Sequence, residues 1–511
     1  MSNHHMPQFP ESYWRDTVQL PSFPPLDQSL KTDVGIVGGG ITGITAAYLL
    51  AKQNVKVVLI DAGPILNGTT GHTTAKVTAQ HGLIYDELIQ NFGVEKASLY
   101  YQASAEAIQI IRETIKEQQI DCDLTTEDAY LFTNADSFLS SLETEKKAYD
   151  QLKIASRLTN NIPLQIPVKS ALMMENQAQF HPLKYLQGLV EACKEMGVQL
   201  FEQTTAVDLE YNKHPTIVTR NGHRIACRHV ISASHYPFYD GQGFYPTRMY
   251  AERSYVVAIQ SQDPFPGGMY INAESPTRSI RSALTKDNEE LWLVGGGSHK
   301  TGQGISTIKH YEALQHYAEE HFGINRFINR WSAQDLITLD KLPYIGAITK
   351  KQESVLVATG YRKWGMTNGT IAAKIMSDTI LEHDQPYHDL FSPSRFQADP
   401  AIKEFARINA DVAKHLIKGK LEYTNDQLKT LQSDDATITR INGQRTGVYK
   451  DESDQLHMVD TTCTHLGCEV TWNSGDRTWD CPCHGSRFSY TGDVIEGPAK
   501  KPLATVKREE L

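Results

Sequence analysis

The stretch Cys463-Thr464-His465-Leu466-Gly467-Cys468 is matched further along the chain by Cys481-Pro482-Cys483-His484-Gly485-Ser486. Each stretch places a histidine shortly after a cysteine, so together they supply two thiolates and two imidazoles. This donor set suits a 2Fe–2S cluster with the thiolates on one iron and the imidazoles on the other. A zinc site uses the same donor atoms, but zinc fingers keep their cysteines and histidines in separate halves. The mixed halves favour the cluster, and the predicted metal ligands are Cys463, His465, Cys481 and His484.

This arrangement resembles the Rieske domains of respiratory and photosynthetic cytochrome complexes. In those domains the positions of Cys468 and Cys483 carry a disulfide that ties the two cluster loops together, so the resemblance implies the same bridge here. Gly497-Pro498-Ala499 and the following Pro502-Leu503 resemble the proline-rich loop that covers the cluster. A disulfide is unusual in a reducing cytosol, and burial behind the cluster would protect it.

Two further positions bear on the reduction potential of the cluster. Ser486 stands where high-potential relatives have a hydroxyl that bonds a bridging sulfide. Phe488 stands where those relatives have a tyrosine that bonds a cysteine sulfur. Without the tyrosine hydroxyl, the reduced and more negative cluster loses a stabilising donor. The resemblance therefore implies a lower potential than that of the relatives.

A second motif lies towards the other end of the chain. The apolar strand predicted over Asp33–Val37 leads into Gly38-Gly39-Gly40-Ile41-Thr42-Gly43, which fits G-x-G-x-x-G. An apolar helix is predicted over Ile44–Lys52 and a second strand over Lys56–Ile60, directly before Asp61. A strand, a helix and an acid about twenty residues on are the context that a dinucleotide-binding site requires.

Each residue of this motif has an expected role. Gly38 permits the tight turn, Gly40 lets the backbone approach a pyrophosphate, and Gly43 allows close packing of helix and strand. The helix N-terminus faces the phosphates. Asp61 is expected to accept hydrogen bonds from the adenosine ribose. The motif by itself does not distinguish FAD from NAD.

Landmarks further along resemble the D-amino acid oxidase-like family of flavin-dependent amine and amino acid oxidoreductases, and this resemblance implies FAD. Gly68–Ala75 resembles the loop of small residues that wraps the flavin, and Ser12-Tyr13-Trp14 resembles members that act on amines. His181-Pro182-Leu183 before an amphipathic helix, the strand Val230–Ser234, and Asp340–Gly346, which fits D-x-x-P-x-x-G, recur in the family's order.

The resemblance also implies further flavin-binding residues. In the flavin loop these are Thr70, His72 and Thr73; His72 stands where some relatives bind FAD covalently, and a noncovalent flavin is the plainer interpretation. The strand Val355–Tyr361 is followed by a helix whose N-terminus points at the flavin pyrimidine in the family, where it stabilises the charge of reduced flavin. The residues implied there are Gly360, Gly365, Met366 and Thr367.

The sequence says less about the substrate. The glycine-rich Val294–Lys300 lacks the third glycine and a following acid, so we do not expect a second nucleotide there. The residues nominate no general base. An arginine could grip a substrate carboxylate bidentately, and a structural role is the competing interpretation for each candidate. The candidates are Arg248, Arg253, Arg278 and Arg281.

The predicted fold class is an α/β FAD-binding Rossmann-like domain with an interleaved antiparallel β-sheet substrate domain, plus a C-terminal all-β Rieske domain. We expect the oxidoreductase part over 1–398, a linker helix over 399–422 and the Rieske domain over 423–511. Apolar residues at helical spacing predict that the linker is an amphipathic helix that packs along the flavin domain, with a membrane-surface role as the alternative. These residues are Ala401, Phe405, Ile408, Val412 and Leu416.

The 511 residues carry a net charge of −10 and no apolar run long enough for a membrane helix. Nucleic acid is therefore not an expected partner, and a cytoplasmic location is expected because no secretory signal is visible. The scattered Cys122, Cys193 and Cys227 are expected to be inert buried thiols.

Together the two resemblances imply an enzyme that dehydrogenates an amine or amino acid and passes electrons through the cluster to an external acceptor, a protein or a quinone. A flavin accepts two electrons with a hydride, and a 2Fe–2S cluster carries one at a time. Two alternatives remain at this point: an oxygen-reducing amine oxidase with a structural cluster, and a redox sensor or docking module without turnover.

Overall fold

The computed structural model of this protein describes residues 5–395, 401–421 and 428–507. The three predicted structural parts are present: an α/β domain, a large sheet interleaved with it along the chain, and a C-terminal all-β domain. The predicted fold class is confirmed. The predicted domain boundaries at 398/399 and 422/423 lie outside the described residues.

The helices of the described residues range from four residues to a stretch of 33 residues that is kinked at Gly93. In chain order they are α1 Tyr13–Thr17, α2 Ile41–Ala51, α3 Tyr85–Glu117, α4 Leu139–Gln151, α5 Pro182–Glu195, α6 Tyr245–Arg248, α7 Ile308–His321, α8 Gly365–Ile380, α9 His388–Phe391 and α10 Ala401–Leu421, with 3-10 turns at Thr69–His72, Asp136–Phe138 and Leu428–Thr430.

The strands of the described residues form five sheets. In chain order they are β1 Leu30–Lys31, β2 Val34–Val37, β3 Val57–Ile60, β4 Lys76–Val77, β5 Thr125–Thr133, β6 Ser156–Thr159, β7 Ser170–Gln179, β8 Gln199–Phe201, β9 Ala206–Tyr211, β10 Pro215–Thr219, β11 Arg224–Ala226, β12 His229–Ser232, β13 Met249–Ser261, β14 Met269–Asn272, β15 Arg278–Leu284, β16 Glu290–Lys300, β17 Ile324–Thr338, β18 Tyr344–Ala347, β19 Val355–Thr359, β20 Asp435–Ile441, β21 Gln444–Lys450, β22 Leu456–Asp460, β23 Thr471–Asn473, β24 Thr478–Asp480, β25 Arg487–Ser489 and β26 Val494–Glu496.

The nucleotide-binding part is built on a six-stranded sheet in the order β18-β19-β12-β2-β3-β8. Its strands are parallel except β18, which pairs antiparallel with β19. All four residues of β2 and of β3 are buried, as continuous apolar runs in a parallel sheet covered on both faces should be. The helix α2 begins at Ile41, earlier than predicted, because Gly40 takes the N-cap position.

The second large sheet has nine strands, eight in the order β17-β13-β16-β15-β14-β5-β7-β4 and β6 beside β7. Side chains of β13 alternate between its two faces. On the inner face, Val256 and Ala258 join the core of the nucleotide-binding part. On the outer face, Tyr255 and Val257 pack with residues of α7. The same alternation decides which side chains of this sheet face the flavin loop and which face the C-terminal domain.

The C-terminal part contains a three-stranded sheet, β20-β21-β22, and a four-stranded sheet, β23-β24-β25-β26. The linker helix α10 lies against both halves of the protein. Ile408 is buried, and Val412 and Leu416 pack on the core of the C-terminal domain. Asn409 Nδ2 donates to the carbonyl oxygen of Thr247 (3.1 Å) on the flavin side. Phe405 is 45 % exposed, so its predicted place on the buried stripe is wrong.

Two simpler expectations concern membrane helices and thiols. Among the described residues, no helix is long and apolar enough to cross a membrane. The thiols of Cys122, Cys193 and Cys227 are buried and free, and burial raises the pKa of each to about 12. At neutral pH they therefore stay protonated, which is the state expected of inert core thiols.

Candidate functional site

The glycines of the first motif sit where no side chain fits. Gly38 adopts φ +113°, and a Cβ there would lie 2.4 Å from the carbonyl oxygen of Ala233. A Cβ on Gly43 would lie 1.9 Å from the carbonyl oxygen of Gly38. Gly40 is less confined, with Thr70 Oγ1 at 3.0 Å from its Cβ position. The turn therefore brings its backbone and the start of α2 into the close approach that binding of a pyrophosphate requires.

Asp61 and Thr70 shape the same turn. Asp61 Oδ2 accepts from the backbone N–H of Gly39 (2.7 Å) and Oδ1 from that of Gly63 (2.9 Å). Burial raises the pKa of the carboxyl group, and these two donors oppose the rise. Thr70 Oγ1 accepts from the N–H of Ile41 (3.1 Å), the first residue of α2. Both side chains thus hold the phosphate-binding turn open and in place.

His72 and Thr73 follow Thr70 in the flavin loop. The Nδ1 of His72 bonds the carbonyl oxygen of Gly68 (2.9 Å), and burial lowers the pKa of this imidazole. Trp331 Nε1 donates to the carbonyl oxygen of His72 (2.8 Å), and Trp14 Nε1 to that of Thr73 (2.6 Å). Two buried tryptophans therefore fix the loop, and Trp14 belongs to the stretch that resembles amine-acting members.

The second segment that the family resemblance assigns to the flavin is the start of α8. Gly360 has φ +80°, and a Cβ there would lie 2.4 Å from Thr338 Cγ2. Gly365 begins the helix, and Met366 and Thr367 are buried in its first turn. The N-terminus of the helix lies beside the segment that follows the flavin loop, because Thr367 Oγ1 is within hydrogen-bonding distance of the carbonyl oxygen of Thr78 (3.4 Å).

Sequence reasoning missed His81, which joins the start of α8 to the segment that follows the flavin loop. Its Nε2 lies 2.8 Å from the carbonyl oxygen of Thr78 and 3.1 Å from Thr367 Oγ1, and its Nδ1 lies 2.6 Å from Tyr100 Oη. The ring stacks on Trp364 with centroids 4.7 Å apart. Burial lowers the pKa of His81 to about 3, so the ring is neutral. In the sequence, the position of His81 at the end of the short segment that follows the flavin loop could have pointed to this role.

The side chains of the four candidate arginines all contact other groups of the protein, which counts against the hypothesis that one of them grips a substrate carboxylate. Arg281 donates to the carbonyl oxygens of Thr74, Ala75 and Phe180 at 3.0–3.2 Å. Arg248 donates to the carbonyl oxygen of Pro393 (2.7 Å) and lies over the ring of Tyr344.

The remaining two arginines point to the outer face. Arg278 pairs in register with Gly296, as Tyr255 does, so it shares the face of Tyr255, and its guanidinium lies over Tyr317 of α7. Arg253 is fully buried against carboxylates of the C-terminal domain. The competing interpretation, a structural role, therefore fits each of the four.

The two cysteine–histidine stretches form loops of the same shape. In the first loop, Cys463–Cys468, the N–H of Cys463 donates to Cys468 O (2.8 Å) and that of Gly467 to Cys463 O (3.0 Å). In the second loop, Cys481–Ser486, the N–H of Cys481 donates to Ser486 O (2.8 Å) and that of Gly485 to Cys481 O (3.0 Å). Each loop turns at a left-handed glycine. The repeated turn presents one cysteine and one histidine from each side.

The donor atoms at these loops fit an iron–sulfur cluster. The structure joins Cys468 and Cys483 in the predicted disulfide and leaves Cys463 and Cys481 as free, buried thiols. Within the described part of the chain, Nδ1 of His465 and Nδ1 of His484 are buried without a hydrogen-bond partner. Buried imidazole nitrogens of this kind are costly unless something binds them. Two thiols and two imidazole nitrogens therefore remain for iron.

The spacing of these groups disfavours a single zinc ion. Among the described residues, one group of three or more candidate ligand atoms lies within 4.8 Å of one another, and it is made of Cys468, Cys481 and Cys483. Two of its members form the disulfide. The four predicted ligands do not gather that closely, as donors to one tetrahedral ion would. A two-iron cluster accommodates the wider set.

The covering loop and the two residues that bear on the potential surround these ligands. Ser486 is fully buried, and its Oγ accepts from the N–H of Ala499 (3.0 Å) in the proline-rich loop. That bond leaves the hydroxyl proton of Ser486 free to donate. Phe488 is fully buried in the same core as Cys463 and Cys481. It offers no polar atom to either sulfur.

The second loop is pressed against the flavin half of the protein. A Cβ on Gly485 would lie 2.4 Å from the Cβ of Ala251, which is on the outer face of β13. A Cβ on Gly302 would lie 2.7 Å from the backbone nitrogen of Pro482. His484 is only 6 % exposed as a result. The first loop is more open, since Leu466 beside the ligand His465 is 58 % exposed.

Buried charges lock this contact. Arg253 lies 3.2 Å from Glu496, 3.6 Å from Asp480 and 4.0 Å from Asp476. Arg487 faces the same three carboxylates, at 2.6 Å from Asp476. Burial would raise the pKa of Asp476, but Arg487 and Arg253 hold it at about 2. Two cations against three anions inside the protein need this mutual pairing, because an unpaired buried charge is strongly unfavourable.

Fold and site together define a flavin-dependent oxidoreductase joined to a Rieske iron–sulfur domain. Residues 33–379 match the family model described as FAD dependent oxidoreductase, and residues 422–507 match that of the Rieske [2Fe-2S] domain. The chain belongs to the FAD-dependent oxidoreductase family and carries a Rieske domain. Its cofactors are accordingly FAD and a 2Fe–2S cluster.

Similar proteins share all or part of this architecture. The chain is 48 % identical over 507 residues to YhfW of Bacillus subtilis (strain 168), provisionally named a Rieske 2Fe-2S iron-sulfur protein, covering 99 % of each chain. It is 24 % identical to the gamma-glutamylputrescine oxidoreductase of Escherichia coli (strain K12), covering 72 % of this chain and 88 % of that one. Glycine oxidase from Geobacillus kaustophilus superimposes with a TM-score of 0.61 at 18 % identity, over 72 % of this chain and all of the other.

Proposed function

We propose that this protein dehydrogenates an amine or an amino acid and delivers the electrons through its Rieske cluster to an external acceptor. FAD supplies hydride acceptance and the cluster supplies one-electron transfer when they are bound. The observation that carries the proposal is the packing of the second cluster loop on the outer face of the sheet whose inner face meets the flavin loop.

Contacts on both faces support this sequence of events. On the inner face, a Cβ on Gly295 would lie 3.6 Å from Thr74 Cγ2 in the flavin loop. On the outer face, Ala251 meets Gly485 of the second cluster loop. One layer of sheet therefore separates the two cofactor-binding loops. A structural cluster alone would not need this placement, so the arrangement favours electron transfer over an oxidase with an inert cluster.

The remaining parts of the site indicate how each loop is used. We propose that the start of α8 and the turn at Gly38 hold the flavin. His484 is shielded at 6 % exposed, whereas His465 is partly exposed beside Leu466, with its ring 6.2 Å from that of Tyr236 in the flavin half. We propose that electrons enter the cluster on the side of the second loop and leave on the side of the first. The exposed tip at Leu466 is where an acceptor would reach the cluster.

The substrate class rests on similarity to proteins whose names specify amines or amino acids. These are the gamma-glutamylputrescine oxidoreductase, the glycine oxidases and the L-amino acid deaminases. The engagement of Arg248, Arg253, Arg278 and Arg281 removes the groups that sequence reasoning offered for a substrate carboxylate. A substrate screen should therefore include amines without a carboxylate as well as amino acids.

Anaerobic rapid mixing of the purified holoenzyme with a panel of amines and amino acids tests the proposal. A true substrate is expected to bleach the flavin and then the cluster, each followed at its own visible absorbance. A Cys463→Ser variant, which loses a cluster ligand, is expected to keep flavin bleaching and lose the second phase. Flavin bleaching with a cluster that stays oxidised in the intact enzyme would instead establish the oxidase alternative.

A further inference from the structure

Gln334 lies on β17 between the two cofactor-binding loops. Its backbone carbonyl oxygen accepts from Thr69 Oγ1 (3.2 Å), in the 3-10 turn of the flavin loop. Its side-chain Nε2 donates to the carbonyl oxygen of Gly485 (2.9 Å), the residue next to the cluster ligand His484. One residue thus bonds to both loops, through its backbone on one side and its side chain on the other.

The side chain of Gln334 has little freedom. It is 1 % exposed. Its Oε1 accepts from Thr301 Oγ1 (2.8 Å) and lies 3.5 Å from a guanidinium nitrogen of Arg253, its cross-strand partner. With the oxygen held by these donors, the amide nitrogen can point only at Gly485. Groups of the flavin half, and not only the cluster loop, therefore fix the amide.

We propose that Gln334 is a positioning residue that sets the second cluster loop against the flavin loop and thereby sets the rate of electron transfer between the cofactors. The inference rests on the proposed function. In the step concerned, reduced flavin loses one electron and the cluster gains it, and no bond forms or breaks. The electronic coupling for such a step falls steeply with separation, so a small shift of the loop has a large effect on its rate.

Gln303 provides a matched control. Its Nε2 donates to the carbonyl oxygen of Pro482 (3.1 Å), in the same second loop. The other polar contact of its side chain is with Asp411 of the linker helix. Among the described residues, Gln303 makes no hydrogen bond to the flavin loop. Gln303→Leu and Gln334→Leu each remove one amide bond to the second loop, but only Gln334→Leu removes it from a residue whose backbone also bonds the flavin loop.

The experiment needs no substrate. The holoenzyme under argon is flash-photoreduced with a deazaflavin sensitiser and oxalate as electron donor, and flavin reoxidation and cluster reduction are followed together. We expect Gln334→Leu to slow this transfer severalfold, because the coupling between the cofactors weakens as the second loop moves away from the flavin loop. Gln303→Leu should transfer at close to the wild-type rate.

Two further readouts separate positioning from general damage. The midpoint potential and the electron paramagnetic resonance spectrum of the cluster should be unchanged in Gln334→Leu, because the amide bonds a backbone carbonyl and not a sulfur. If that variant does not load its cofactors, Thr69→Val decides, because it removes the bond to the carbonyl of Gln334 and leaves the glutamine intact; slower transfer is again expected.

The outcomes are distinct. Absence of transfer in the wild-type enzyme would refute the proposed function, and the inference with it. Transfer in the wild type with equal rates in the Gln334→Leu and Gln303→Leu variants would refute only the role of Gln334. A slower rate accompanied by a shifted cluster potential would also overturn it, since the change would then lie in the driving force.

Discussion

The nucleotide-binding turn and the docked cluster loop both depend on glycines, but the groups that confine these glycines lie in different parts of the chain. Gly43 is confined by Gly38, a few residues away, whereas Gly485 is confined by Ala251 in a distant strand. The first contact is complete within one βαβ unit. The second exists only when the two halves of the protein are together. Local packing thus creates each cofactor site, and long-range packing relates one site to the other.

The largest effect is expected from filling the nucleotide-binding turn. In Gly43→Val the new side chain would meet the carbonyl oxygen of Gly38 at 1.9 Å, so the turn cannot close and the purified protein should contain no flavin. Gly68→Ala is the control, since nothing lies within 4 Å of its Cβ position. The flavin content is measured by absorbance after denaturation. A Gly43→Val protein that still contains flavin would contradict the claim that the close contact of Gly43 with Gly38 is needed for flavin binding.

Breaking the long-range contact at Arg253 should have a smaller but still large effect, a loss of free energy of unfolding. Arg253→Met leaves three buried carboxylates with Arg487 alone, and loss of a buried ionic partner destabilises by about 3–5 kcal/mol. Urea unfolding monitored by loss of cluster absorbance measures this. Arg224→Met, which removes an exposed pair with Glu210, should change stability far less. Equal effects of the two changes would show that the network does not hold the domain.

A third test uses pH and stays within the flavin half. His181 caps α5 through its Nδ1, and its Nε2 lies 3.1 Å from Thr17 Oγ1. Burial, and then Lys184, lowers the pKa of His181 to about 3. The unfolded chain therefore takes up the proton first as pH falls below the ordinary histidine value of about 6.5.

The sign follows from that order. The stability that neutral His181 contributes is complete above about pH 6.5 and declines by up to about 1.4 kcal/mol per pH unit towards pH 3. His181→Asn keeps a capping oxygen and does not titrate. The free energy of unfolding, measured at about pH 7.5 and about pH 5.5, should therefore fall less in the variant. A fall of the same size in both proteins would exclude His181 as the source.

The smallest change concerns the cluster itself. In Phe488→Tyr the new hydroxyl is expected to donate to a cysteine sulfur in the core that Phe488 shares with Cys463 and Cys481. One such bond is worth about 1.4 kcal/mol, which corresponds to a rise of roughly 60 mV in a one-electron potential. Redox titration of the cluster measures it. An unchanged or lower midpoint would remove Phe488 from the explanation of the potential.

The sequence predicted the elements that are written in consecutive residues. The strand–turn–helix at Val34–Ala51 and the two cluster loops could be recognised because their spacing is fixed within one turn or one hairpin. The arginines behaved differently. Nothing near Arg253 in the chain reveals that its partners are Asp476, Asp480 and Glu496. The substrate hypothesis failed for that residue because its side chain lies on the outer face of β13.

By itself the sequence determined which cofactors this protein binds and which residues are their expected ligands, because those donors recur at short, chemically constrained spacings. Only the tertiary structure decided that the second cluster loop faces the flavin half, that His81 joins Thr78 to the start of α8, and that Gln334 bonds to both cofactor-binding loops. These relations depend on packing between segments that are distant in the chain. A motif records local geometry, whereas the separation of two cofactors is set by the surfaces that the folded halves present to each other.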